Sequence, residues 1–237
     1  MRTLFFLGWL MIPIGAAAYH YGPGQERMRL DDVAAALDLA DAQAAQGNWD
    51  ASAKTYEEAL AALPADRQDQ ARQIRLERDQ AWMNVGKLPE ASADLKALTD
   101  ELQADPRANA QLVRGAREAF ANSQYYTTWL MKLEGLSRDE WEPEIESARQ
   151  TFRLLAEQAD QAGDSTSAVK SREDLESVIR LARMEPGELQ GLALPKQCQN
   201  CKSGQCKKPG RKPGNKPSQP KDSRGAGAGP PPDGSGS

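Results

Sequence analysis

The chain has 237 residues, of which 39% are hydrophobic, only 6% aromatic and 27% charged, with a formal net charge of -4. Abundant alanine and the absence of β-branched runs argue for helices over strands, and the length admits one or two domains. The single histidine, His20, excludes histidine triads and histidine metal clusters from the rest of the chain.

The first element is apolar. After Arg2, residues 4–18 carry no charge, are broken by Pro13 and end in the small residues Ala16 and Ala18. This matches a secretory signal peptide cut after Ala18. Continued through Tyr19, His20 and Tyr21, the same stretch approaches the length of a single-pass anchor with interfacial aromatics. Residues 1–22 are therefore expected to be a signal peptide or a membrane anchor, and either places the rest of the chain outside the cytoplasm. No cysteine stands just after the apolar stretch, which argues against a lipoprotein anchor. Gly22-Pro23-Gly24 is expected to separate it from the body.

From Asp31 to Glu185 the chain reads as helical hairpins. Val33, Leu37, Ala40 and Ala44 fall at helical spacing, and Gly47 ends that helix. Trp49 opens a second, with Ala53, Tyr56, Ala59 and Leu60 on one stripe and Pro64 as its stop. A second pair turns at Gly86, carrying Trp82, Ala91, Leu95 and Leu98. Residues 107–135 have the length of a further hairpin but lack a glycine turn. Leu136, Ser137, Glu140 and Trp141 form a capping box with a hydrophobic staple. The last hairpin turns at Gly163, with Phe152, Leu155, Ala156 and Ala159 before it and Ala168 after it. Pro143 is expected to force a short first turn or a kink. The carboxylates of Asp139, Glu140, Glu142, Glu144 and Glu146 suit the positive end of a helix dipole better than a cation site. The final helix carries Leu175, Val178, Ile179 and Ala182 and ends at Pro186-Gly187.

This stretch resembles the tetratricopeptide repeat, a helix-turn-helix unit. Leu39 and Ala40 stand at the family's Leu-Gly pair, Gly47 at its turn, Trp49 and Tyr56 at its aromatics, Ala59 at its small residue and Pro64 at its terminal proline. Arg78 and Asp79 occupy the Leu-Gly positions of the second unit, a departure, and Arg172 sits at an aromatic position of the last. The resemblance implies an all-α fold of stacked antiparallel hairpins forming a superhelix with a concave groove for a peptide or protein.

The aromatics are expected to pack, with Tyr125 and Trp129 as the candidates for partner contact because they lie four apart on one helix face. Nothing marks a catalytic residue, a cofactor site or a metal site. Residues 196–237 carry nine Lys or Arg against two Asp, a net +7 that leaves -11 on the remaining 195 residues. Their Lys, Pro and Gly content is expected to keep them disordered. Within them, Cys198, Cys201 and Cys206 form C-x-x-C-x-x-x-x-C, one ligand short of a closed zinc site and suited to a disulfide or free thiols. No aromatic is interleaved with the basic residues, so specific nucleic-acid binding is not expected.

The expected function is a non-enzymatic interaction scaffold of the cell envelope that binds a protein or peptide, with the membrane as a further partner if the N-terminal segment is retained. The alternatives are a thiol- or metal-handling protein acting through the cysteine tail, and an envelope component that binds anionic polymer through that tail.

Overall fold

A computed structural model of the chain describes residues 23–199, together with 9, 11–13 and 19. Among these the secondary structure is entirely helical: α1 (Pro23–Ala45), α2 (Trp49–Ala62), α3 (Gln68–Met83), α4 (Leu88–Ala104), α5 (Ala110–Leu133), α6 (Arg138–Gln161), α7 (Ser165–Arg183), the short α8 (Pro186–Gln190) and a 3-10 turn, η1 (Lys196–Cys198). No described helix is long and apolar enough to cross a membrane. The expected signal or anchor segment lies almost entirely outside the described residues.

One terminator recurs. Among the described residues four glycines have left-handed backbones, Gly47 (φ 76°), Gly86 (φ 79°), Gly135 (φ 73°) and Gly163 (φ 71°). At three of them the same pair of hydrogen bonds closes the helix. Gly47 N–H donates to Ala44 O and Asn48 N–H to Gln43 O; Gly135 to Lys132 O and Leu136 to Met131 O; Gly163 to Asp160 O and Asp164 to Ala159 O. This is the Schellman arrangement, which satisfies the last carbonyls of a helix and favours a residue without a Cβ at the left-handed position. At Gly86 the longer of the two bonds is present, from Lys87 N–H to Trp82 O. Gly47, Gly86 and Gly163 thus stand in turns, as the sequence predicts.

The chain divides into two compact units, residues 1–75 and 76–237, with the division inside α3. In the first unit α1 packs along α2. Its core is Val33, Ala40, Tyr56, Ala59 and Ile74, flanked by Ala36, Leu37, Leu60 and Leu63. The Tyr56 hydroxyl donates to the Asp41 carboxylate across the hairpin. Of the pair at the resembled family's Leu-Gly positions, Ala40 is buried and Leu39 is exposed. α1 also begins eight residues before Asp31, because Pro23 is tolerated at the first helical position and residues 25–30 contain good helix formers.

In the second unit the apolar stripes are regular. Leu88, Ala91, Leu95, Leu98 and Leu102 form the buried face of α4, and Ile145, Ala148, Phe152, Leu155, Ala156 and Ala159 that of α6. α5 packs on both of these helices, and α6 packs on α7. The expected hairpin at residues 107–135 is corrected: these residues form the single 24-residue helix α5, and the next turn is the left-handed Gly135. Asn109 caps its start, accepting from Gln111 N–H at 2.8 Å. Nothing inside the segment can stop it, since Gly115 remains helical and a Cβ there would lie 3.2 Å from Leu76 Cδ2. α6 starts at the expected capping box, with the Glu140 carboxylate accepting from Ser137 N–H at 2.9 Å, and Leu136 is buried beside it. The helix then runs on through Pro143.

Candidate functional site

The strongest side-chain constellation lies where α3 meets α4. Asp79 is fully enclosed. Its Oδ1 accepts from Arg78 Nε at 2.9 Å and from Arg78 Nη2 at 2.7 Å, and the same Nη2 donates to Asp94 Oδ2 at 2.5 Å. The guanidinium lies over the Trp82 ring, 4.0 Å from its centroid, while Lys87 Nζ approaches that ring at 5.1 Å. Planarity lets arginine stack on an indole and bind carboxylates in its own plane at once. Asp79 Oδ2 has no hydrogen-bond partner. Burial is the main cause that pushes the Asp79 carboxyl up to about 8; Asp94 adds to it and Arg78 opposes it. Such a group stores a proton at neutral pH. It is closed to solvent, so it cannot touch a substrate.

A second buried polar group joins α5 to the end of α7. Lys132 is 4% exposed and donates through Nζ to Leu181 O at 2.7 Å and to Ala182 O at 3.3 Å. Its ammonium stands 4.2 Å from the Trp141 ring centroid. The carbonyls at the last turn of α7 are the negative end of that helix, so the lysine serves as a distant cap. Burial lowers its pKa.

Tyr125 and Trp129, the candidates for partner contact, are buried. They are 3% and 5% exposed and belong to the core of the second unit, with ring centroids 6.0 Å apart and Tyr126 edge-on to Tyr125 at 5.2 Å. Both lie on one face of α5, as their spacing predicts. The face is covered because α5 is buried along almost its whole second half, from Ala119 to Lys132, by α4, α6, α8 and η1.

Cys198 is likewise placed differently from the expectation of a disordered tail. It is a thiol, 1% exposed, in η1, with its Sγ 3.6 Å from Tyr126 O. The ordered body therefore extends past the expected limit at Glu185, through α8 to η1, because Leu189 and Cys198 supply apolar surface that joins the core. Cys201 and Cys206 lie outside the described residues.

Four of the five carboxylates at the entry of α6 have hydrogen-bond or ion-pair partners within the fold. Glu140 closes the capping box, Glu142 pairs with Arg138, Glu144 accepts from Gln124 Nε2 at 3.0 Å, and Glu146 pairs with Arg149. Hydrogen bonds from Arg149 and Gln150 hold the Glu146 carboxyl down at about 2. Among the described residues, no three His, Cys, Asp or Glu side chains are grouped so as to hold a metal ion. Sequence reasoning flagged Arg78 and Asp79 only as departures from a repeat pattern. An acid at a position that demands a small residue was the available signal, since it must bring its own compensating charge. Lys132 gave no such signal, because its acceptors lie about 50 residues away.

No protein-family model, curated protein or solved structure matches this chain.

Proposed function

We propose that this chain is a non-enzymatic interaction scaffold of the cell envelope, whose body is a degenerate tetratricopeptide-like array of helical hairpins that binds a protein or peptide. One observation carries the reading: the same left-handed glycine turn ends four of the helices, α1, α3, α5 and α6. Hairpins built on one repeated turn stack into extended surfaces, and such surfaces bind rather than catalyse. Two polar groups, Arg78 with Asp79 and Asp94, and Lys132, are enclosed or partly enclosed and hold helices to one another. That use of charge suits a scaffold. The charge-free stretch at residues 4–18 supports export or anchoring, with the body outside the cytoplasm.

We give the thiol- or metal-handling reading less weight because Cys198 is enclosed in the body. The envelope-polymer reading rests on the basic residues beyond Gln199. A direct test compares the tagged full chain with a form lacking residues 200–237, each cross-linked in cells and purified from membrane and soluble fractions. The scaffold reading expects the same protein partner with both forms. Loss of that partner on truncation, or retention that salt abolishes, would move the function to the tail.

A further inference from the structure

α5 is covered in part by a short segment that follows the last long helix: α8 and η1 both pack on it. Leu189 and Cys198 are each 1% exposed and join the core of the second unit, and Pro195 between them is buried. Gly187, Gln190, Ala193 and Lys196 of the same segment are exposed. Gln197 Nε2 donates to Asn84 Oδ1 at 3.2 Å, and Cys198 Sγ lies 3.6 Å from Tyr126 O. A five-residue helix and a 3-10 turn have no stability of their own, so this strap holds its place through its inward side chains. It therefore opens locally more readily than the 24-residue helix beneath it.

The covered helix has chemistry that such a segment answers. Its aromatic face, Tyr125 with Tyr126 and Trp129, takes apolar side chains. Lys132, one turn further on, feels the carboxylates of Glu185 and Glu188, which favour its charge against the burial that lowers its pKa. Trp129 Nε1 is buried and has no hydrogen-bond acceptor while the strap is in place. A buried donor of this kind is costly to leave unpaired.

We propose, on the scaffold reading above, that the strap-covered part of α5 is a docking site for an extended segment of a partner protein, and that residues 186–198 fill it as an internal competitor. The strap supplies the pattern that the partner segment shares: an acid, Glu188, before an apolar anchor, Leu189, and a proline six residues on, Pro195. An occupant that also brings a carbonyl to Trp129 Nε1 gains a hydrogen bond that the strap does not make. Because the strap is tethered, it competes at an effective concentration on the order of millimolar. The apparent affinity for a partner is then the intrinsic affinity reduced by the fraction of molecules whose strap is open.

The test uses the full chain and a fluorescein-labelled synthetic peptide with the sequence of residues 185–199, carrying Cys198→Ala to remove thiol exchange. In anisotropy titrations Leu189→Asp in the chain, which places a charge where the strap must dock, should tighten peptide binding at least about tenfold. Gln197→Ala, which loses the tie to Asn84, should shift it the same way by a smaller factor with circular dichroism unchanged, and it carries the comparison if Leu189→Asp does not fold. A peptide that itself carries Leu189→Asp should not bind, and a peptide with a photoreactive group at position 192 should cross-link within α5. Equal affinity of the natural chain and the folded variants would overturn the proposal, as would equal binding of the two peptides or cross-links confined to other helices. Recovery of a cellular partner equally with the natural chain and with Leu189→Asp would overturn this site and leave the scaffold reading standing. The expected peptide results without any cellular partner would support the site and count against the scaffold reading alone.

Discussion

Replacing Asp79 by Asn removes an ionisable group while keeping its size, and so isolates the proton that the α3–α4 junction stores. The carboxyl is pushed up to about 8 from an ordinary 3.8, chiefly by burial. The folded state therefore binds this proton more tightly than the unfolded state. Stability from Asp79 is full below about pH 4 and is lost as pH rises through 8. Each unit of pH within that window costs up to about 1.4 kcal/mol, so the loss between pH 5 and pH 8 is on the order of 4 kcal/mol. Arg78 and Asp94 are the charged groups that bear on Asp79, and both remain in the variant. The carboxylates of Glu146 and Asp164, held low, act only in more acidic solution. Urea titrations followed by tryptophan fluorescence, with Trp82 against Arg78 as a local reporter, should be run from pH 5 to pH 9. The stability of Asp79→Asn minus that of the natural chain should climb steadily up to pH 8 and level off above it. Parallel curves across that range would show that Asp79 is ionised throughout and that Arg78, not a stored proton, compensates its burial.

Three further outcomes rest on single contacts. Tyr56→Ala should cost about 3 to 5 kcal/mol as a buried aromatic truncation, and Tyr56→Phe about 1 kcal/mol for the hydroxyl bond to Asp41, measured by urea unfolding of the full chain. Gly163→Ala should cost about 1 to 2 kcal/mol from backbone conformation alone, since nothing lies within 4 Å of an added Cβ; a neutral result would mean that the turn relaxes out of the left-handed region. Lys132→Met should cost about 2 kcal/mol and speed amide exchange at the end of α7, because it leaves the Leu181 carbonyl without its charged donor. Unchanged exchange there would remove the capping role.

Much of the helical framework is legible in the sequence because it rests on local chemistry. A glycine after an apolar stripe means a left-handed helix terminator, which is why Gly47, Gly86 and Gly163 are found in their turns. The Ser137–Glu140 capping box is legible for the same reason. Gly135 is missed because the Ser137 helix start two residues later dominates the reading of that stretch. α5 is missed as one helix because its second half is buried on nearly every side. A helix covered all round has no polar stripe, and Asn122, Ser123, Gln124, Thr128 and Lys132 look like surface residues until their partners are known. Ser123 meets Ser92, Gln124 meets Glu144, and Lys132 meets Leu181, all distant in sequence. The burial of Tyr125, Trp129 and Cys198 is hidden by the same fact, since α8 and η1, which pack on this helix, come from the far end of the described residues.

Regularity in this protein resides in the turn and not in the period. Successive left-handed glycines are separated by 39, 49 and 28 residues, and α1 to α7 range from 14 to 24 residues. A pattern of fixed period cannot track such lengths, whereas a terminator that needs only one glycine and two backbone hydrogen bonds tolerates them. The residue seven places before the turn glycine keeps its buried position but not its type. At that position, where the first unit has the buried Ala40, the second has the buried Asp79. An acid is acceptable there because Arg78 donates two hydrogen bonds to it and because it can hold a proton. The buried acid is thus a local solution at one crossing, in a body whose turns repeat and whose helix lengths do not.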